Sequence, residues 1–106
     1  MGRGNGQPAC RLEQRDPGHW ALYGDLGLET AGGILSQGRA AFAGAPRARV
    51  DLSGISDADS AGLAVLIEWV REACQSGRSI TFSGLPPRLA ALARLGGVAD
   101  LLPLSD

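Results

Sequence analysis

The chain has 106 residues, 44% of them hydrophobic and 20% charged, with a formal net charge of −1. That is the profile of one small globular domain with a single core, and it gives no electrostatic case for nucleic acid or an anionic membrane as partner. All ten basic residues are arginine, so the chain has no lysine for a Walker-type phosphate loop or a Schiff base.

Residues 1–9 are glycine-rich with little to bury, and are expected to form a disordered tail ahead of a domain over 10–106. The Met-Gly start does not make a myristoylation signal, because Gly6 stands where Ser or Thr is needed. No signal peptide and no apolar run of membrane-spanning length is present, so the expectation is a cytoplasmic protein. Cys10 and Cys74 are isolated and form neither a disulfide framework nor a metal spacing.

Strands are predicted over 10–15 and 19–24, joined by the Asp-Pro-Gly turn at 16–18. Residues 28–43 read as a helix with Leu28, Ala31, Leu35 and Phe42 inward, weakened by Gly32, Gly33 and Gly38. A strand follows over 48–55. The clearest helix spans 60–75, where Leu63, Leu66, Ile67, Val70, Ala73 and Cys74 make one apolar stripe. The segment 79–83 is a strand. Pro86 and Pro87 open a last helix, with Leu89, Leu92, Ala93 and Leu95 inward up to Gly96 and Gly97, and 98–104 closes the chain. The order β-β-α-β-α-β-α predicts an α/β fold: a mixed sheet of about four strands with helices packed against it.

The stretch at 56–69, Ser-Asp-Ala-Asp-Ser-Ala-Gly-Leu-Ala-Val-Leu-Ile-Glu-Trp, concentrates the polar residues worth testing. From Asp57 it imitates a calcium loop, but Ala61 stands at a ligand position and the segment after Gly62 is a continuous apolar helix face. An enzymatic role for the pair Asp57 and Asp59 lacks a base, a nucleotide loop or an oxyanion motif, and His19, the only histidine, sits near the hairpin turn. Ser60 has no adjacent base to activate it. No catalytic residue, metal or cofactor is therefore expected. A helix cap by Asp57, Asp59 or Ser60 is expected. A phosphate on Ser60 would meet free amides and the repulsion of both aspartates. Helical-wheel positions place Val65 and Trp69 off the core stripe beside Ala61 and Glu72, which makes either an interface flank or a surface that a neighbouring helix covers.

Residues 51–66, Asp-Leu-Ser then Asp-Ser-Ala-Gly-Leu opening a helix, resemble the STAS domain family, whose fold has the element order read above. Tyr-Gly-Asp-Leu at 23–26 is similar to that family's turn after the second strand. In anti-sigma factor antagonists of the family, the serine in the position of Ser60 is phosphorylated by a partner kinase. The wording at 61–66 and at 91–104 is more similar to the small STAS subunit of the Mla phospholipid ABC transporter. The short chain is not expected to be the STAS tail of a long anion transporter.

This resemblance implies a non-catalytic subunit that binds and supports the transporter's ATPase, and reaches the membrane permease and the inner membrane only through it. It makes Ser60 the first candidate contact and possible phosphorylation site, with Asp59 before it and Gly62 and Leu63 as framework; with the polar cluster and the helix flank read above, the expected partner-binding residues are Ser56, Asp57, Asp59, Ser60, Ala61, Val65 and Trp69. The alternative it implies is a phospho-switched antagonist with an anti-sigma factor kinase as partner.

Overall fold

The computed structural model describes residues 9–105. The tail expected over 1–9 falls outside them except for Ala9. Strands β1 (Cys10–Asp16) and β2 (His19–Leu26) form an antiparallel hairpin with Leu12 opposite Leu22, turned by Pro17 and Gly18. Gly18 takes φ 81°, a conformation that suits a residue without Cβ. Helix α1 (Ala31–Phe42) crosses to β3 (Arg47–Ala58), and α2 (Ser60–Gln75) crosses to β4 (Ser79–Ser83). Helix α3 (Pro87–Leu95) and a single 3₁₀ turn (Ala99–Leu101) follow.

The sheet order is β1-β2-β3-β4, with β2, β3 and β4 parallel to one another. The mixed α/β sheet read from the sequence is the one observed. Beyond β4, Leu104 bridges Phe82 in parallel, so the terminal apolar segment extends the sheet by one short pairing.

Period-two alternation sorts the strands into two faces. Trp20, Leu22, Ala48, Val50, Leu52, Ile80 and Phe82 point into the core beneath the helices, while Arg11, Glu13, Arg15, Arg49 and Ser53 lie exposed on the other face. Between α1 and α2 the core is aromatic. Phe42 meets Trp20 edge-on at 4.9 Å and Trp69 at 5.0 Å. Gly38 of α1 makes the room, because a Cβ there would stand 2.3 Å from the Trp69 ring. The indole Nε1 donates to the Leu35 carbonyl across the helix pair at 3.3 Å.

Helix faces differ from expectation. In α2 the buried residues are Gly62, Leu63, Val65, Leu66, Trp69 and Ala73; Ile67 and Val70 are half-buried and Cys74 is exposed. The reason is that α2 packs on α1 as well as on the sheet, which turns its buried arc toward Val65 and Trp69. In α1 the buried set is Ile34, Gly38 and Phe42. Leu28 lies ahead of the helix and is 77% exposed, and Leu95 at the end of α3 is 84% exposed. The strand predicted over 19–24 runs on to Leu26, so residues 23–26, likened to a turn after that strand, lie inside β2, where Gly24 at φ 98° and a register shift make a bulge.

Candidate partner-binding site

Strand β3 is longer than its apolar core requires. It continues through Ser56 and Asp57 to Ala58, paired to the last residues of β2, with Asp25 opposite Asp57 and Leu26 opposite Ala58. Two parallel strands thus end at one level, and α2 starts there after a single residue, Asp59.

Asp59 is the N-cap. In an extended conformation, its Oδ1 accepts from the amides of Ala61 at 2.9 Å and Gly62 at 3.2 Å. Its Oδ2 accepts from the amide of Leu28 at 3.1 Å, in the loop between β2 and α1. One carboxylate therefore fastens two chain segments 31 residues apart. These bonds, led by the one from Leu28, hold the carboxyl below its ordinary pKa. Two glycines make the approach possible. A Cβ on Gly62 would stand 2.2 Å from the Leu26 carbonyl oxygen, and one on Gly27 would stand 2.7 Å from Asp59 Oδ2.

The loop is tied from within as well. The Thr30 hydroxyl donates to the Asp25 carbonyl at 2.8 Å and accepts from the Gly27 amide at 3.0 Å. Ser56 Oγ donates to the Asp25 carboxylate at 3.0 Å. Beside this loop lies a depression of about 430 Å³, bounded by residues 25–30, by 57–59 and by Arg88. Arg88 Nε donates to the Ala58 carbonyl at 2.6 Å and stands 3.7 Å from the exposed Asp57 carboxylate.

Ser60, the first residue of α2, is exposed, and its hydroxyl bonds to no described residue. Ala61 is half-buried. The structure thus gathers Ser56, Asp57, Asp59, Ser60 and Ala61 at one end of the sheet. Val65 and Trp69 are not part of that surface: Trp69 is 2% exposed and Val65 3%. The expected apolar flank is corrected to core, because α1 covers it and Gly38 receives the indole.

The site missed from the sequence includes Asp25, Gly27, Leu28, Thr30 and Arg88. Thr30 held the available signal, since a Thr ahead of a helical run marks a cap and places Leu28 outside the helix. No imidazole is near Ser60 among the described residues. His19 begins β2, at the far end from Leu26, about 23 Å away along the strand. The arrangement offers an acidic, hydrogen-bonding surface with one unengaged hydroxyl.

Residues 12–103 match the family model described as the MlaB STAS domain. The chain belongs to the STAS domain family. Its fold superposes on those of solved anti-sigma factor antagonists. The unphosphorylated anti-sigma factor antagonist SpoIIAA superposes with a TM-score of 0.68 at 18% identity, covering 92% of this chain and 89% of that one. The phosphorylated form from Bacillus gives 0.66 at 18%, with 92% of each chain covered. An anti-sigma factor antagonist from Mycobacterium paratuberculosis gives 0.70 at 22%, with 92% and 85% covered. At such identities the likeness establishes the STAS fold. No curated protein matches the chain in sequence.

Proposed function

We propose that this STAS domain is a non-catalytic subunit that binds and supports the ATPase of an Mla-type intermembrane phospholipid transport ABC complex. The observation that carries the reading is the MlaB-type match over residues 12–103. The geometry supports it: Ser60 projects an unengaged hydroxyl from a helix start that Asp59 holds rigid, next to an acidic loop. An exposed hydroxyl on a rigid helix start suits contact with another protein. The subunit would sit on the cytoplasmic side, peripheral to the inner membrane through the ATPase and its permease.

Co-expression with the Mla-type ATPase of the same genome tests this. The two proteins are expected to co-purify, and Ser60→Arg is expected to abolish the complex while the circular dichroism spectrum stays intact. Failure of the wild-type pair to associate refutes the transporter reading, and unchanged binding by Ser60→Arg removes Ser60 from the site.

A second reading has its own observation. Solved structures that this chain resembles include anti-sigma factor antagonists, and the exposed Ser60 hydroxyl is accessible to a kinase. An antagonist would gain the mass of one phosphate at Ser60 on incubation with a kinase-type anti-sigma factor. Unmodified protein counts against that reading.

A further inference from the structure

We infer that Leu28 is the apolar anchor of this docking surface, presented by Asp59, and that the partner protein meets it with an apolar hollow rimmed by arginine or lysine. This rests on the reading of the site as the place where the ATPase docks, and it names the chemistry of that contact.

A single exposed leucine on a loop is ordinary and means nothing alone. Leu28 differs in how it is held. The residue is 77% exposed, yet its own amide is bound to the Asp59 carboxylate. The residue before it is closed into a turn: the Gly27 amide donates to the Thr30 hydroxyl, and the Gly27 carbonyl accepts from the amides of Thr30 and Ala31 and from the Thr30 hydroxyl. The same carboxylate caps the helix that carries Ser60. Leu28 and Ser60 are therefore fixed relative to each other before any partner arrives, which lowers the ordering cost of binding. A large exposed apolar side chain bordering a polar surface is the composition of an interface anchor.

Charge defines the other side. Asp25, Glu29, Asp57 and Asp59 line the depression beside Leu28, and Arg88 is the one cation among its lining residues. Asp57 stays exposed despite Arg88, and Glu29 is exposed. An acidic or neutral partner would leave these carboxylates opposed or stripped of water, whereas a basic rim pairs with them and steers the encounter.

The test uses the purified full chain and the Mla-type ATPase of the same genome, with binding measured by titration. Leu28→Glu is expected to weaken binding at least about tenfold, an anchor-sized loss. Leu28→Met keeps size and apolarity and is expected to bind like wild type. Asp59→Asn retains a capping oxygen for α2 but opposes the Leu28 amide with a donor. It is expected to leave circular dichroism unchanged, speed hydrogen exchange at the Leu28 amide and weaken binding. Wild-type affinity is expected to fall as sodium chloride rises.

Wild-type binding that Leu28→Glu leaves intact, or that salt leaves unchanged, overturns this inference while the proposed function stands. If the wild-type chain does not bind the ATPase, the same titrations run on a kinase-type anti-sigma factor decide the anchor on the same terms. Binding to neither overturns both.

Discussion

Gly62→Ala sets two effects of opposite sign against each other at the join between fold and site. Gly62 is inside α2, where alanine is intrinsically favoured over glycine by about 0.5–1 kcal/mol. The new methyl, however, would lie 2.2 Å from the Leu26 carbonyl oxygen and 2.8 Å from Leu26 Cγ. A carbon–oxygen contact settles near 3.3–3.6 Å, so helix and strand must part by roughly 1 Å. Both neighbours are constrained, since that carbonyl also accepts from the Asp59 amide. Overpacking of this kind costs about 1–3 kcal/mol, and the retreat also stretches the Asp59 bond to Leu28. After the propensity gain, a net loss centred near about 1 kcal/mol remains, equivalent to a melting temperature lower by roughly 4–8 °C in a domain of this size. Gly33→Ala is the matched control: in α1 nothing lies within 4 Å of its Cβ position, so alanine is expected to stabilise by about 0.4–1 kcal/mol. Thermal unfolding followed by circular dichroism reads both. A Gly62→Ala protein that melts at or above wild type would show that helix propensity governs this position and that α2 does not depend on close contact with β2.

Two further outcomes follow from the same geometry. Trp69→Ala is expected to cost about 3–5 kcal/mol, a large share of the roughly 5–15 kcal/mol that holds such a domain together; denaturant titration measures it, and an unchanged midpoint would return Trp69 to the surface. The Asp59 carboxyl has a folded-state pKa below its unfolded one, so its contribution is present at neutral pH and is lost as pH falls below about 4 through the depressed value. The stability gap between wild type and Asp59→Asn should therefore narrow in acid, and a gap independent of pH would contradict the bonding described.

What the sequence disclosed and what it hid divide along physical lines. Strands and helices were legible because apolar period and turn residues act locally: the Asp-Pro-Gly turn, the alternation around Trp20 and Leu22, and the long periodic helix all stand where expected. Helix orientation was not, because a helix lying between a sheet and another helix buries more than one stripe. Trp69 was ambiguous on a wheel until its receptor was known. That receptor is Gly38, which in sequence counted only as a weak point of α1. The site was half legible. Asp59 and Ser60 stand at the helix start that the motif marked, but Leu28, Asp25 and Arg88 come from other elements, and only the parallel pairing of β2 with β3 brings the first two alongside.

The aromatic layer has a practical consequence. The chain has two tryptophans, both buried and both edge-on to Phe42, and neither lines the depression beside Leu28. Intrinsic fluorescence and near-ultraviolet dichroism of this protein should thus report loss of packing between α1, α2 and the sheet, and stay nearly silent when a partner docks. Any emission change on mixing with a partner then comes from the partner or from a rearrangement that reaches the core, so the protein carries its own optical control for separating recognition from unfolding.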